Sequence, residues 1–257
     1  VIVKDSDEAV VRLAELIDRG ERILIFTGAG ISTASGIPDY RGPEGVWNTR
    51  HPVYYDAFMT DRHARIEYWR QKAEDRSAFG AAAPNAVHDA VVRLERAGRL
   101  RAVVTQNVDG LHRKAGTSDD LLVEIHGTNG LVECQSCGER TDPGPHFERF
   151  RETGEPPVCS CGGYLKPATI SFGQQLRTSD LVRAFDAART ADVVISLGST
   201  LSVSPAADVP LEAARYGAAY AVVNRGATDH DGSPLVVLRI DGDVGAVFPA
   251  AVAAVSE

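Results

Sequence analysis

Residues 23–30 read Ile-Leu-Ile-Phe-Thr-Gly-Ala-Gly. The apolar run does not alternate with polar residues, so it describes a strand buried on both faces, as in a parallel sheet covered by helices. The glycines that end it allow backbone N–H groups to approach an anion, and a following helix N-terminus favours negative charge. Runs of the same kind recur at 101–105 (RAVVT), 121–125 (LLVEI), 168–172 (ATISF), 193–198 (VVISLG), 220–223 (YAVV) and 234–240 (PLVVLRI). Helical patterns lie between several of them. Residues 6–20 carry a stripe of Val10, Leu13 and Ile17, with Ser6 as the expected cap and Gly20 as the stop. Residues 85–97 repeat Val87, Val91 and Leu94, and residues 180–191 repeat Leu181, Phe185 and Ala188. Strands alternating with helices imply an α/β fold on a doubly wound, Rossmann-like parallel sheet.

Two stretches break the alternation. Residues 43–84 are polar, dotted with aromatics and too long for a plain βα loop. Residues 131–167 carry all four cysteines and five of the thirteen prolines. Both read as insertions that together form a smaller lobe, a helical module and a cysteine-rich module. The sheet-based domain is then expected from residues 1–42, 85–130 and 168–257, with a ligand in the cleft between the lobes.

The 257 residues suit one large domain with a smaller attachment. Apolar residues make up 44%, charged residues 24% and aromatics 7%, which excludes a disordered, collagen-like or coiled-coil chain. No apolar run approaches the roughly 20 residues that span a membrane, and the N-terminal VIVKDSDEAV does not read as a signal peptide. A net charge of −8 argues against nucleic acid as a direct partner. The excess of Arg over Lys reads as the codon bias of a GC-rich genome. Four cysteines are a thin disulfide framework for this length, so a reducing, cytoplasmic compartment is expected.

Polar clusters follow the buried runs. The first is Thr27-Gly28-Ala29-Gly30-Ile31-Ser32, continued by Ser35-Gly36-Ile37-Pro38-Asp39-Tyr40-Arg41-Gly42. A bare Gly-x-Gly is weak, and Thr33 stands where a dinucleotide fingerprint has its third glycine, so an ordinary tight turn competes. An Asp and an Arg in a Gly-Ile-Pro turn beside that loop are unusual in a purely structural segment. The second cluster, Thr105-Gln106-Asn107-Val108-Asp109-Gly110-Leu111-His112, packs donors and acceptors suited to ribose hydroxyls or an amide. Capping of the next helix explains one of its side chains but not all. The third, Glu124-Ile125-His126-Gly127, offers a histidine that can accept a proton near neutral pH. A lone histidine is more often structural, but this one ends a strand at the same sheet edge. Further clusters are Ser171-Phe172-Gly173-Gln174, the stretch Gly198-Ser199-Thr200-Leu201-Ser202-Val203, and Asn224-Arg225-Gly226. So many polar strand ends on one edge call for a large ligand. Cys134-x2-Cys137 and Cys159-x-Cys161, each pair followed by glycine, read as knuckles of a zinc ribbon. All four ligands come from protein, so the site is closed and structural. Disulfides or a redox pair are the competing readings.

Together, and in this order over nearly the whole chain, these motifs resemble the sirtuins, NAD-dependent protein deacylases, of a bacterial kind. The resemblance implies NAD lying between a Rossmann-like domain and a small domain made of a zinc ribbon and a helical module. In that family the acyl-lysine oxygen attacks the ribose carbon bearing nicotinamide, and a histidine, here His126, acts as general base on a ribose hydroxyl. The resemblance assigns Gln106 and Asn107 to the ribose and a water, with Asn107 joining His126 in catalysis. Asp109 and Ile37 would hold nicotinamide, with Asp39 and Val108 nearby. Gly28, Ala29, Gly30, Ser32, Tyr40 and Arg41 would serve the phosphates and cofactor loop. Gly198, Ser199, Thr200, Asn224, Arg225, Gly226 and Val244 would meet the adenosine half. Phe172, Gly173, Ser202 and Val203 would take an acyl-lysine peptide as an added strand, and Cys134, Cys137, Cys159 and Cys161 would hold zinc. Oligomeric state is not legible.

Two departures bear on specificity. Gln174 stands where the family often has Glu. Members that accept succinyl or malonyl lysine carry Tyr-x-x-Arg, and the matching stretch is Glu67-Tyr68-Trp69-Arg70. A carboxylate at position 67 would repel an acidic acyl chain, so desuccinylation is not expected; deacetylation leads, but the stretch from Tyr68-Trp69 to Pro84-Asn85-Ala86-Val87-His88 resembles a sirtuin branch whose deacetylase activity is weak, which leaves the acyl preference open. The rival functions are transfer of ADP-ribose to protein or water, a non-catalytic NAD or ADP-ribose sensor, and a dithiol oxidoreductase using Cys134 and Cys137.

Overall fold

The computed structural model describes residues 2–39, 45–46 and 49–255, without the side chains of residues 77 and 78. The first quoted run forms β2 (Ile23–Thr27), buried along its whole length. Its side chains explain the missing alternation: Ile23 and Ile25 enter one apolar core, Leu24 and Phe26 the other. On one side of β2 lie β3 (Leu100–Thr105) and then β4 (Leu122–Glu124). On the other lie β8 (Val193–Leu197), β9 (Ala219–Val223), β10 (Val236–Ile240) and β1 (Ile2–Val3). All pairs are parallel, with Thr27 level with Thr105 and Leu197. Chain order runs outward in both directions from the β2–β8 boundary, with β1 added beyond β10 at the edge. A crevice therefore opens at their C-terminal ends, where ligands bind such sheets.

Helices cover both faces. α1 (Ser6–Arg19), α4 (Ala86–Arg96) and α9 (Val244–Val255) bring Leu13, Ile17, Val91, Val247 and Phe248 onto one face. α7 (Thr178–Thr190) and α8 (Asp208–Arg215) bring Ala184, Ala188, Val209 and Ala213 onto the other. The cap of α1 is Asp5 and not Ser6: Asp5 Oδ1 accepts the N–H of Glu8 at 2.8 Å, and Ser6 is already the first helical residue. Both residue types cap well, so only the geometry separates them. α4 is capped by Asn85, whose Oδ1 accepts the Val87 N–H at 3.0 Å and whose Nδ2 donates to the Ile31 carbonyl at 2.8 Å.

The expected strand at 168–172 belongs elsewhere. The strand there is β7 (Leu165–Thr169), and it pairs antiparallel with β5 (Gly127–Cys134) in a three-stranded sheet completed by β6 (Arg140–Thr141). A short apolar run shows that a strand is buried but not which sheet receives it. This sheet begins at Gly127 and ends at Thr169, wider than the stretch of residues 131–167. It packs on α2 (Tyr55–Thr60), α3 (Arg62–Ala81) and α6 (Pro143–Thr153) through a core of Phe58, Tyr68, Trp69, Val132, Phe147 and Leu165. Trp69 is its centre: fully buried, 4.9 Å from the Phe147 ring, with its indole N–H donating to the Leu165 carbonyl at 3.0 Å. The two sheets meet at His126 and Gly127. The His126 carbonyl accepts the Ile170 N–H at 2.8 Å, and Gly127 has φ +74° with room for no side chain, since a Cβ there would sit 2.1 Å from the Ala168 carbonyl oxygen.

Trp69→Ala leaves a large apolar void and an unpaired buried carbonyl. It is expected to cost roughly 3–5 kcal/mol of unfolding free energy, read by urea denaturation; a loss under about 1 kcal/mol would contradict this packing.

Candidate active site

A cleft of about 820 Å³ runs along the C-terminal edge of the parallel sheet and between it and the three-stranded sheet with its helices. Most of the expected residues line it. Gly28, Ala29, Gly30 and Asp39 come from the segment after β2, and Gln106, Asn107 and Val108 follow β3. His126 follows β4, and Phe172 and Gly173 follow β7. Gly198, Ser199, Thr200 and Val203 follow β8, and Asn224 and Arg225 follow β9. Ser32, Ile37, Asp109, Ser202, Gly226 and Val244 are not in the wall. Ile37 is buried against Ala82 and Leu111, and Val244 is buried at the start of α9. Ser202 Oγ lies 3.0 Å from Thr200 Oγ1, and the Gly226 N–H donates to Asp241 at 2.8 Å. Tyr40 and Arg41 lie outside the described residues.

The strand ends are laced backbone to backbone. The Gly28 N–H donates to the Leu197 carbonyl at 3.0 Å, the Gly30 N–H to the Gly198 carbonyl at 2.9 Å, and the Gly198 N–H to the Val223 carbonyl at 3.0 Å. A Cβ on Gly28 would lie 2.7 Å from the Gly198 oxygen, and one on Gly30 would lie 2.9 Å from the Gly198 Cα. These glycines are thus required by the crossing of two turns as well as by any approach of a phosphate. Gln106 spans the same junction, donating from Nε2 to Ser199 Oγ at 2.7 Å.

Asn107 is fixed by its amide nitrogen, which donates to the Gly28 carbonyl and to Ser32 Oγ, each at 3.1 Å. Ser32 in turn donates to Asp109 Oδ2 at 2.7 Å, and Asp109 Oδ1 accepts the Leu111 N–H at 2.9 Å. Ser32 and Asp109 therefore act from behind the wall by orienting Asn107, and this brace presents the amide oxygen of Asn107 as the acceptor for a ligand. His126 Nδ1 lies 3.2 Å from the Gln106 carbonyl. That contact is a hydrogen bond with the proton on Nδ1, the tautomer that makes Nε2 the basic nitrogen. Deeper in, His112 Nε2 lies 3.2 Å from Thr27 Oγ1, which donates to Thr105 Oγ1 at 2.8 Å; Thr105 Oγ1 also accepts the Asn107 N–H at 3.0 Å. Burial, with the neighbouring His88 adding to it, pushes the His112 ring down to about 3, so it is neutral at physiological pH.

The four cysteine sulfurs lie within 4.8 Å of one another, with Cys134 and Cys161 at 3.6 Å and Cys137 and Cys159 at 3.8 Å. Sulfurs at the corners of a zinc tetrahedron stand about 3.8 Å apart, so the cage fits that ion. The backbone N–H groups of Cys137 and Ser136 hold the Cys134 thiol down to about 6. At Cys137 the Glu139 N–H acts in the same direction, but the sulfurs of Cys134 and Cys161 outweigh it and push the thiol up to about 12. Four thiolates this close need a cation among them. The cage joins the turns at both ends of the cysteine-rich stretch and does not line the cleft.

The helical wall corrects the reading of Glu67. Positions 68, 71, 72 and 75 of α3 share the face that lines the cleft, as their spacing requires. Glu67 and Arg70 point into a separate shallow groove, where Arg70 binds Glu67 and Glu74, each at 2.7 Å. The Glu67 carboxylate therefore cannot repel an acyl chain from within the cleft. Tyr68, Gln71 and Lys72 were not marked by sequence reasoning, because no motif places them and the polar run of α3 conceals which face is inward.

A nucleotide-scale cleft at the switch point of a doubly wound sheet, with a four-cysteine module set behind its second wall, defines a dinucleotide-dependent α/β enzyme. The chain belongs to the Sir2 family, whose model matches residues 28–205. It is 39% identical over 241 residues to NAD-dependent protein deacetylase 1 of Bradyrhizobium diazoefficiens, covering 94% of this chain and 95% of that one. A solved structure described as a basis for the mechanism and regulation of Sir2 enzymes superposes with a TM-score of 0.85 at 35% identity, covering 97% of this chain and 98% of its own. A Sir2 structure with a p53 peptide and NAD+ superposes at 0.81 with 31% identity, covering 91% and 93%.

Two outcomes test this geometry. His112 has an ordinary value near 6.5 when unfolded and about 3 when folded, so its contribution is intact above about pH 6.5 and is lost as pH falls toward 3. The expected loss between pH 7 and pH 5 is on the order of 2 kcal/mol, and His112→Gln should flatten that slope in urea unfolding; an unchanged slope would contradict a buried neutral ring. Removal of the metal with a strong chelator should release one zinc per chain and melt the three-stranded sheet before the parallel one, read by hydrogen exchange. Uniform exchange in both sheets would contradict a local staple.

Proposed function

We propose that the chain is an NAD-dependent protein-lysine deacylase acting on acyl-lysine peptides, acetyl-lysine among them. One acyl-lysine, one NAD and one water give free lysine, nicotinamide and acylated ADP-ribose. The observation that carries this reading is His126, held by the Gln106 carbonyl beside Asn107 at the seam of the two sheets, in the same cleft that the glycine turns line. NAD, when bound, supplies the glycosidic bond whose cleavage releases nicotinamide and leaves an electron-poor ribose carbon.

The chain's own residues divide the remaining work. Gly28, Ala29 and Gly30 bring backbone close to the cleft, as a pyrophosphate needs. Asn107, with its amide nitrogen committed to Gly28 and Ser32, offers its oxygen to a ribose hydroxyl or an ordered water. His126 Nε2 takes the proton from the hydroxyl that must become nucleophilic. Ser199, Thr200, Asn224 and Arg225 suit the adenosine half. The Phe172–Gly173 and Val203 segments suit an extended peptide added by main-chain pairing, in keeping with the p53 peptide and NAD+ of the Sir2 neighbour. Among the described residues no helix is long and apolar enough to cross a membrane. Four cysteines kept for a metal suit a reducing compartment, and a cytoplasmic site of action is part of this proposal.

His126→Ala should fold and keep its zinc while losing about 10²–10⁴-fold in turnover, followed by nicotinamide release from NAD and an acetyl-lysine peptide. Turnover near that of the unmodified protein would remove His126 from the mechanism.

A further inference from the structure

Arg239 is a buried arginine in β10, on the opposite side of β2 from His126, and it lines no part of the cleft. Every N–H donor of its guanidinium is used. Nε donates to Asp231 Oδ1 at 2.6 Å, and Nη2 to Asp231 Oδ2 at 3.4 Å. Nη1 donates to the Asn224 carbonyl at 3.0 Å and to the Ile240 carbonyl, and Nη2 also donates to the Gly226 carbonyl. The Asn224 and Gly226 carbonyls bracket Arg225 in the turn after β9. Asp231 is held in turn by Thr228, whose N–H donates to Oδ2 at 3.1 Å and whose hydroxyl donates to Oδ1 at 2.7 Å. A buried charge is tolerated only when it is paired and hydrogen-bonded in this way.

The clamped turn carries part of the cleft wall, which Asn224, Arg225 and Ala227 line. The loop that continues it reaches the turn after β8, because the Asp229 N–H donates to the Thr200 carbonyl at 2.9 Å. It is docked again by His230, whose Nδ1 lies 2.8 Å from the Tyr220 hydroxyl, itself 3.0 Å from Ser196 Oγ. At the switch point the wall is fixed by glycine backbones in contact. The turn after β9 has no such contact: a Cβ on Gly226 would meet nothing within 4 Å among the described residues. Hydrogen bonds from side chains, and not close backbone packing, therefore set this part of the wall.

The order of strands along the sheet edge says what this wall meets. His126 and Asn107 follow β4 and β3, the Gly28–Gly30 turn follows β2, and the clamped turn follows β9, beyond β8. A dinucleotide with its reacting ribose at His126 and its pyrophosphate at the glycine turn must lay its other nucleoside over the turns after β8 and β9. We propose that Arg239, through its pair with Asp231, is a positioning residue for that distal nucleoside. It sets the peptide planes of Asn224–Gly226 and the tie to Thr200 without touching the cofactor. The proposal rests on the deacylase reading and adds what orders the non-reacting half of NAD. An arginine is required and not merely a cation, because only a planar fork reaches a carboxylate and separate carbonyls at once. The reacting end has its own brace, Ser32 and Asp109 behind Asn107, so the two halves are separable by experiment.

The test pairs the kinetics of nicotinamide release, with an acetyl-lysine peptide, with calorimetric binding of ADP-ribose, which carries the distal nucleoside and the pyrophosphate but no nicotinamide. Arg239→Lys should raise KM for NAD and the Kd of ADP-ribose about tenfold or more. It should leave kcat at saturating NAD, and KM for the peptide, within about twofold of the unmodified protein. Asp231→Asn, which keeps the shape and removes the charge, should move the same two constants in the same direction by about threefold or more. It carries the test if Arg239→Lys does not fold. Arg12→Met, exposed on α1, should change none of them. Unaltered KM for NAD and unaltered ADP-ribose binding in a folded variant overturn the clamp. So does a parallel loss in kcat and peptide KM, which a general weakening of the fold would give. Absence of nicotinamide release by the unmodified protein overturns the deacylase reading, and ADP-ribose binding then still decides the clamp.

Discussion

The turn after β2 lies with its backbone on the backbone of the turn after β8. Gly28 and Gly30 meet Gly198 so closely that any side chain on either would overlap it. This contact fixes the switch point of the sheet, because β2 and β8 are the neighbours at which chain direction divides. It also fixes the polar residues that follow. Gln106 reaches across it to Ser199, and Asn107 grips the Gly28 carbonyl from the other side. The carbonyl that orients His126 belongs to Gln106. A shift of a few tenths of an ångström at the glycines would therefore be passed to the amide and imidazole through hydrogen bonds.

The second seam is His126–Gly127, where the parallel sheet hands the chain to the antiparallel one. His126 is thus held at the line where both walls of the cleft meet, with a backbone hydrogen bond from Ile170 to its own carbonyl. The four-cysteine cage lies outside the cleft, and the Trp69 core packs behind its second wall and meets the cleft at Tyr68. Lys72 lines that wall, and Lys166 is buried behind it, donating to the carbonyls of Pro167 and Thr169 and to Gln174 Oε1.

The sheet was legible where burial on both faces removed alternation, as at Ile23–Phe26. The cysteine cage was legible because ligand spacing is a covalent constraint. The stretch at 168–172 reads like the parallel strands but joins β5 in the antiparallel sheet, because apolar content marks burial and not partner. Ser6 and Asp5 are both good caps, and sequence cannot choose between neighbours. Ser32 and Asp109 are at the site but act through Asn107, a distinction that only hydrogen-bond geometry makes. Glu67 and Tyr68 differ by one residue, which on a helix is about 100° of rotation. Without an apolar stripe to set the phase of α3, the sequence does not separate Tyr68, which lines the cleft, from Glu67, which faces the shallow groove.

The most direct measurement is mass spectrometry of the products formed from NAD and an acyl-lysine peptide in water enriched in heavy oxygen. The account predicts unmodified lysine peptide, nicotinamide, and ADP-ribose carrying the acyl group. Nicotinamide released at the same rate without peptide, or ADP-ribose found on the peptide with its acyl group intact, would contradict it.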